Sequence, residues 1–150
     1  MGHAYTNLLV HLVFATKERL PLLDAALRPR LCAYIGGILR ESGGRLLAAN
    51  GMADHIHILA VLKPNAAVSD SVREIKANSS RWLRRDCGLG NRFGWQGGYG
   101  AFNVSKSQVE RVRKYIEGQE RHHARQTFED ELVGLLRAHG IAFEERYLWD

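Results

Sequence analysis

Residues 45–62 read RLLAANGMADHIHILAVL and predict two adjacent strands with a turn between them. The strands cover Arg45–Asn50 and His55–Leu62, and the turn lies around Gly51. Two apolar runs separated by a short segment containing glycine are typical of a β-hairpin. The middle of the chain is therefore predicted to be a hairpin whose second strand opens with a pair of histidines.

Further strands and helices are predicted on both sides of this hairpin. In chain order they are a strand over 6–15, a helix over 24–42, the hairpin, a helix over 69–86, a strand over 99–104, a helix from Ser107 and a helix over 127–139. Ser107 and Glu110 match a capping box at the start of the third helix. The order is that of the split βαβ, or ferredoxin-like, fold, which is an α+β arrangement. We therefore expect an antiparallel sheet with two helices on one face, and an added C-terminal helix carrying Tyr115 near the other.

Composition limits the class of protein before any motif is considered. The 150 residues carry a formal net charge of +5, with 45% hydrophobic and 25% charged residues. These values are typical of a folded chain, and the length predicts a single domain over residues 1–150. An excess of lysine and arginine favours a polyanionic partner such as nucleic acid. Because there is no signal peptide and no apolar run of roughly 20 residues, we expect a cytoplasmic protein without a membrane partner.

The tripeptide His55-Ile56-His57 predicts two imidazoles side by side. Side chains two residues apart on a strand point to the same face, so Ile56 faces a core and both histidines face the other way. Such a pair can hold a divalent ion, although a firm site needs a third ligand from elsewhere in the fold. The alternative is that the two histidines merely share a strand. Histidines for which the sequence indicates no partner are predicted to be structural or solvated: His3, His11, His122 and His123.

Tyr115 and Gln119 lie four residues apart, and therefore on one face of the third predicted helix. They flank its apolar stripe of Val109, Val112 and Ile116. A tyrosine can attack a phosphodiester and become covalently joined to the phosphate. Gln119 offers an oxygen ligand one helical turn away, which together with imidazoles suits Mg²⁺ or Mn²⁺. The alternatives are an ordinary packing phenol and a solvated amide.

Basic residues follow one face of the helix predicted over 69–86. Arg73, Lys76 and Arg84, together with Ser80, recur at spacings of three and four residues. Few acidic residues balance these charges, so we interpret the stripe as a surface that contacts DNA phosphates. A solvated outer face of the helix is the alternative.

Two further segments are candidates for DNA contact. The loop over 88–98 mixes glycine with aromatic residues, and unpaired bases can stack on a ring such as Trp95. The alternative is that Phe93 and Trp95 cover the edge of the sheet. Lys17 and Arg19 follow the first strand and are predicted to contact backbone phosphates.

Several motifs are recognisable in combination. They are HIH at 55–57, YGAFNVS at 99–105, YIEGQE at 115–120, an opening VHLVFATK at 10–17 and a closing YLW at 147–149. Together they resemble the single-tyrosine HUH transposases, the enzymes of the smallest bacterial insertion sequences and of domesticated relatives associated with repetitive palindromes. The resemblance covers essentially the whole chain. Residues 120–125, ERHHAR, depart slightly from the usual acidic-then-histidine run of that family.

The resemblance implies a concrete chemistry. Members of that family cut single-stranded DNA near hairpins, form a 5′-phosphotyrosine link, leave a free 3′-OH and need Mg²⁺ or Mn²⁺. Carried over by position, Tyr115 becomes the nucleophile and Gln119 the third metal ligand. His55 and His57 become the first two ligands. The resemblance also implies a homodimer, in which the tyrosine-bearing helix can serve the partner's histidines in a composite site.

Two other functions are compatible with the same residues. One is a metal-dependent phosphodiester hydrolase that activates water at His55 and His57. The other is a domesticated protein that only binds single-stranded DNA or RNA. Covalent trapping separates the three, because a transposase leaves an adduct, a hydrolase cuts without one, and a binding protein does neither.

Overall fold

The sheet has four antiparallel strands in the order β2-β3-β1-β4 in the computed structural model, which describes residues 2–148. The strands are Leu8–Ala15 (β1), Arg45–Met52 (β2), His55–Leu62 (β3) and Gly100–Asn103 (β4). β1 lies between β3 and β4, and β2 pairs with β3 at the edge. This is the strand order of the split βαβ fold, so the predicted α+β ferredoxin-like class is confirmed. Trp149 of the closing motif lies outside the described residues.

Six helices accompany the sheet within residues 2–148. They are Leu27–Glu41 (α1), Val68–Arg85 (α2), Val109–Glu117 (α3), Gln119–His123 (α4), Phe128–Ala138 (α5) and Glu145–Leu148 (α6). Pro29 lies in the first turn of α1 and does not interrupt it, because the N–H groups of that turn have no partner inside the helix. Between residues 2 and 148, no helix combines the length and the hydrophobicity that a membrane span requires.

α1 and α2 cover one face of the sheet and form the main core with it. Val10, Leu12 and Phe14 of β1 and Ile56 and Ile58 of β3 are at most 6% exposed and belong to this core. The two strands alternate as predicted, since every second side chain points towards α1 and α2. The side chains that alternate with these core residues along β1 and β3 therefore point to the opposite face of the sheet.

α3 and α5 cover the opposite face through two separate apolar clusters. One cluster joins α3 to the sheet through Leu59, Val109 and Ile116. The other joins α5 to the sheet through Val13 and Leu132. The histidines of β1 and β3 lie on this same face, where they contact residues of both helices. The added helix thus lies on the face where the sequence predicted it.

The boundaries of α3 differ from the prediction at both ends. The predicted capping box does not form, because the residue at the helix N-cap is Gln108 and Ser107 lies in a preceding turn. At the other end the chain bends at Gly118, and α4 begins at Gln119. The expectation that Tyr115 and Gln119 share one continuous helix is therefore wrong.

Gly51 occupies a point where β2 approaches β3 closely. A Cβ at Gly51 would overlap the His55 carbonyl oxygen and stand 3.0 Å from the Ile56 Cα atom. We expect Gly51→Ala to lower the free energy of unfolding by about 1–3 kcal/mol, because the strands must separate. The matched control is Gly134→Ala, in α5, where a Cβ would meet no described atom within 4 Å. That change should raise stability by about 0.5–1 kcal/mol, and urea denaturation measures both.

Candidate active site

The two predicted histidines lie side by side and are buried. The ring centroids of His55 and His57 are 5.3 Å apart, and the two side chains are 1% and 0% exposed. His55 Nδ1 lies 2.8 Å from an oxygen of Asp54, which orients the ring from behind. The Nε2 atoms of both rings point towards α5. The strand alternation that the sequence indicates therefore creates one buried pair of nitrogen donors.

A carboxylate from α5 lies next to both of these nitrogen donors. Glu131 Oε1 lies 2.8 Å from His57 Nε2 and 3.3 Å from His55 Nε2, and Glu131 is only 3% exposed. The ligand atoms of the three residues all lie within 4.8 Å of one another. Two imidazole nitrogens and a carboxylate oxygen are a donor set that suits a divalent ion such as Mn²⁺. The three residues therefore fit a metal site.

Glu131 is absent from the ligands that the sequence predicted. Its position nevertheless carries a signal, because Phe128 and Leu135 share its face of α5 at spacings of three and four residues. A carboxylate on the apolar face of a helix costs free energy unless it is paired. Such a residue is a candidate for a buried ion pair or a metal ligand.

Gln119 lies in the same cluster even though a bend separates it from α3. Its Oε1 is 3.2 Å from His55 Nε2, and its Nε2 donates to Glu131 Oε2 at 3.2 Å. The side chain is fully buried. The structure therefore brings the predicted third ligand within hydrogen-bond distance of His55, and it adds Glu131, which contacts both histidines.

Two histidines that were predicted to be structural or solvated also have partners here. His11 Nε2 lies 2.8 Å from His57 Nδ1, and His123 Nε2 lies 3.1 Å from Gln119 Oε1 and 3.0 Å from Glu131 Oε1. Neither residue is simply solvated, because both have partners in the candidate site that the sequence did not indicate. Their partners come from distant segments, which is why neighbouring sequence does not indicate them.

Tyr115 lies beside the histidines of its own chain. Its hydroxyl donates a hydrogen bond to Glu131 Oε2, and its ring centroid is 5.8 Å from that of His57. The Asn50 side chain of β2 holds the end of α3 by donating to the carbonyl oxygens of Ile116 and Glu117, at 3.1 and 3.2 Å. One carboxylate thus contacts both the phenol and the paired imidazoles within a single subunit.

Burial and hydrogen bonding set the charges of the imidazoles. Burial alone would lower the pKa of His55, but its hydrogen bonds to Asp54 and Glu131 raise it to about 9. Burial lowers the pKa of His57, and it lowers that of His11 to about 3 with help from the neighbouring His57. Without a metal, a neutral His57 can donate from Nε2 to Glu131 while Nδ1 accepts from His11. For Nε2 to bind a metal, the proton must lie on Nδ1, which then donates to His11 Nε2. Such a second contact fixes the orientation of a metal-binding imidazole.

Glu131 and Tyr115 have opposite protonation preferences. Burial would raise the pKa of Glu131, but hydrogen bonds from His55 and His57 hold it well below its ordinary value. Burial and the Glu131 carboxylate hold the pKa of the Tyr115 phenol well above its ordinary value. At neutral pH the carboxylate is therefore charged and the phenol protonated, so a nucleophilic Tyr115 needs additional positive charge nearby.

Five of the six predicted DNA contacts line one groove beside α2, which we call the α2 groove. It has a volume of about 550 Å³, and its lining includes Lys17, Arg73, Lys76, Arg84 and Trp95. The sixth residue, Arg19, lies outside the groove and forms a salt bridge to Glu129 at 2.6 Å. Residues that are distant in sequence are thus brought to one basic surface.

Some of these side chains also hold the glycine-rich loop against α2. Lys76 Nζ donates to the carbonyl oxygens of Gln96 and Gly98 at 2.9 and 2.7 Å. The Trp95 indole donates to Ser79 Oγ at 3.0 Å. Phe93 is only 1% exposed, so for this ring the alternative of covering the sheet is correct. Trp95 keeps a partly exposed surface on the groove.

Comparison with known proteins identifies the family. The profile described as "Transposase IS200 like" matches residues 4–119. The ISDra2 transposase TnpA of Deinococcus radiodurans is 28% identical over 125 residues, covering 79% of this chain and 87% of that protein. The transposase for insertion sequence element IS200 of Salmonella typhimurium is 29% identical over 124 residues, covering 79% of this chain and 81% of that protein.

Two solved structures share the fold. A protein described as a transposase, from Deinococcus radiodurans R1, superposes with a TM-score of 0.60 at 26% identity, over 79% of this chain and 96% of that one. The REP-associated tyrosine transposase, solved with a REP hairpin, gives a TM-score of 0.59 at 18% identity, over 82% and 73% of the two chains.

The family match covers well over half of the sequence. The chain therefore belongs to the IS200-like transposase family, and it is a DNA transposase. The matched residues end at Gln119, so Glu131 and the rest of α5 lie beyond the region that defines the family.

Proposed function

We propose that this transposase nicks and rejoins single-stranded DNA at hairpin-flanked ends through a covalent 5′-phosphotyrosine intermediate on Tyr115. One observation carries the proposal: the Glu131 carboxylate contacts the Tyr115 hydroxyl with one oxygen and the His55–His57 pair with the other. The hairpin in the structure of the REP-associated relative supports the substrate class. Residues 1–150 are proposed to act as one nuclease and strand-transferase domain.

The proposed reaction is a pair of balanced transesterifications. The Tyr115 oxygen forms a bond to the scissile phosphorus while the bond from phosphorus to the 3′ oxygen breaks. The phenolic proton ends on the leaving 3′-OH, and the phosphate stays joined to the 5′ side of the DNA. In rejoining, a 3′-OH attacks the phosphotyrosine and returns the phenol. No oxidant or nucleotide cofactor is needed, because the bond energy is kept in the phosphotyrosine.

A divalent metal, Mg²⁺ or Mn²⁺, is proposed to bind at His55, His57 and Glu131. When bound it would polarise the scissile phosphate and stabilise the charge that develops there. The chain's own contribution is to hold the ligands, since Asp54 and His11 orient the two imidazoles. The packing around the three ligands also excludes bulk water, because His55, His57 and Glu131 are at most 3% exposed.

The sequence predicts Gln119 as the third metal ligand, whereas the arrangement of the site favours Glu131. We expect Glu131→Gln to weaken Mn²⁺ binding by at least about 10–100-fold, the loss that follows when only a hydrogen-bond partner of a ligand is changed, because the charge of a direct ligand is removed while its shape is kept. Gln119→Ala should weaken it less, since a neutral oxygen is removed and Glu131 stays in place. Calorimetric titration of the purified variants with Mn²⁺ measures both. The reverse ranking would restore Gln119 as the third ligand and contradict the role of Glu131.

DNA binding is proposed to use the α2 groove, with Lys17, Arg73, Lys76 and Arg84 on phosphates and Trp95 against a base. Arg19 and Arg73 are weaker candidates than the others, because they are already paired with Glu129 and Asp70 at 2.6 and 2.7 Å. A homodimer is also proposed. Its active sites need not be composite, since Tyr115 and His57 of one chain are already adjacent.

Covalent trapping tests the proposed function. The chain is incubated with Mn²⁺ and labelled single-stranded DNA that carries a hairpin, and the products are separated under denaturing conditions. The expected result is a labelled protein whose modified peptide contains Tyr115. Cutting without an adduct would support the hydrolase alternative. Binding with neither product would support a DNA-binding protein without this chemistry.

A further inference from the structure

A second basic surface lies beside Tyr115, apart from the α2 groove. It is a groove of about 890 Å³ formed by α3, α4 and the residues that follow α4. Its lining includes Tyr115 and His122 together with four cations: Arg111, Lys114, Arg121 and Arg125. We call it the tyrosine groove. None of the six DNA contacts predicted from the sequence lies in it.

The positive charge of the tyrosine groove is not neutralised by the protein. No acidic residue among residues 2–148 lines the groove, and its four cations form no ion pair with the described part of the chain. Two of the acids nearby are directed elsewhere: Glu110 pairs with Arg113 at 3.3 Å, and Glu120 lies 3.9 Å from Arg28. A third, Glu117, is exposed and forms no ion pair with a groove cation among residues 2–148. Four exposed cations held close together repel one another, so a polyanion bound among them relieves that repulsion.

Tyr115 links this groove to the buried site. Its ring lies 4.6 Å from the ring of His122, which lines the groove, while its hydroxyl reaches Glu131 in the interior. Tyr115 also lines a second cavity, of about 460 Å³, with His11, Arg111 and His139. We take the tyrosine groove as the path by which a phosphodiester reaches the hydroxyl, because Arg121, Arg125 and Lys114 line it in addition to Arg111. The phosphates next to it in the strand then lie within reach of the four cations.

We propose that the tyrosine groove binds the backbone of the single-stranded DNA that flanks the scissile phosphate. The inference rests on the proposed function, because it takes Tyr115 as the nucleophile. Other parts of the substrate are left to the α2 groove, where Trp95 is proposed to contact a base. Contacts in the tyrosine groove are to phosphates, which makes them independent of base sequence.

Salt-dependent binding tests the proposal without cleavage. The parent is Tyr115→Phe in the presence of EDTA, and the probe is a labelled oligonucleotide without a hairpin, titrated between about 50 and 200 mM salt. Neutralising Arg121→Gln and Arg125→Gln together should weaken binding. It should also reduce the slope of log Kd against log salt by about 1.4, or about 0.7 for each lost phosphate contact. The matched control neutralises Arg40→Gln and Arg45→Gln, which line neither groove.

Three results would overturn the proposal. They are a slope equal to that of the control pair, an equal loss of affinity for a blunt hairpin without single-stranded DNA, and no oligonucleotide binding by the parent. The hairpin result would assign the tyrosine groove to paired DNA. Because no cleavage is measured, a failure of the trapping experiment would count against the proposed function and leave these binding results intact.

Discussion

The Tyr115→Phe variant is expected to form no covalent adduct with DNA and to lose strand cleavage by on the order of 10⁴-fold or more. The change removes one oxygen, which is the proposed nucleophile, and keeps the ring that packs 4.6 Å from His122. α3 should stay in place, because its own residue Ile116 is fully buried against the sheet. Denaturing gels of labelled hairpin DNA incubated with Mn²⁺ measure adduct and cleavage together.

Tyr5→Phe is the matched control for this experiment. Tyr5 is 93% exposed, so the same loss of a hydroxyl should leave the adduct at the level of the unmodified chain. Binding of the hairpin by Tyr115→Phe should be within about threefold of the unmodified chain, because phosphate contacts supply most of the affinity. An adduct that persists in Tyr115→Phe, on another tyrosine, would show that the nucleophile has been assigned wrongly.

The His57→Ala variant is expected to lose cleavage by more than about 100-fold while keeping most of its DNA affinity. His57 is 0% exposed and lies 2.8 Å from both Glu131 and His11, so its removal deprives the proposed metal of a ligand and the two neighbours of a partner. The basic grooves are unchanged. Cleavage assays with Mn²⁺ and binding assays without metal separate the two properties.

Because His57 is buried, the folding of its variants must be measured together with their activity. Thermal unfolding of His57→Ala is compared with that of His57→Gln, which keeps a polar side chain, and of His3→Ala, an exposed histidine. Both His57 variants should lack cleavage, and His3→Ala should keep it. Equal losses of cleavage and DNA binding in a folded His57→Gln would contradict a role confined to the metal.

Much of the fold follows from local periodicity. The extent of β3 and the alternation of Ile56 and Ile58 with the two histidines depend only on strand geometry, and β3 begins and ends where predicted. α1 and α2 agree with the prediction within three residues at each end. The end of α3 was missed because the bend at Gly118 interrupts a sequence that otherwise continues as a helix.

The residues of the candidate site divide in the same way, into those that local periodicity predicts and those that it does not. The sequence by itself determined that His55 and His57 share a face, because neighbouring side chains on a strand alternate whatever surrounds them. It also placed Tyr115 on an amphipathic helix. Only the tertiary structure decided that Glu131 joins them, since it is 74 residues from His57 in sequence and meets it only when α5 packs on the sheet. Packing between distant segments depends on the whole core, and local periodicity carries no record of it.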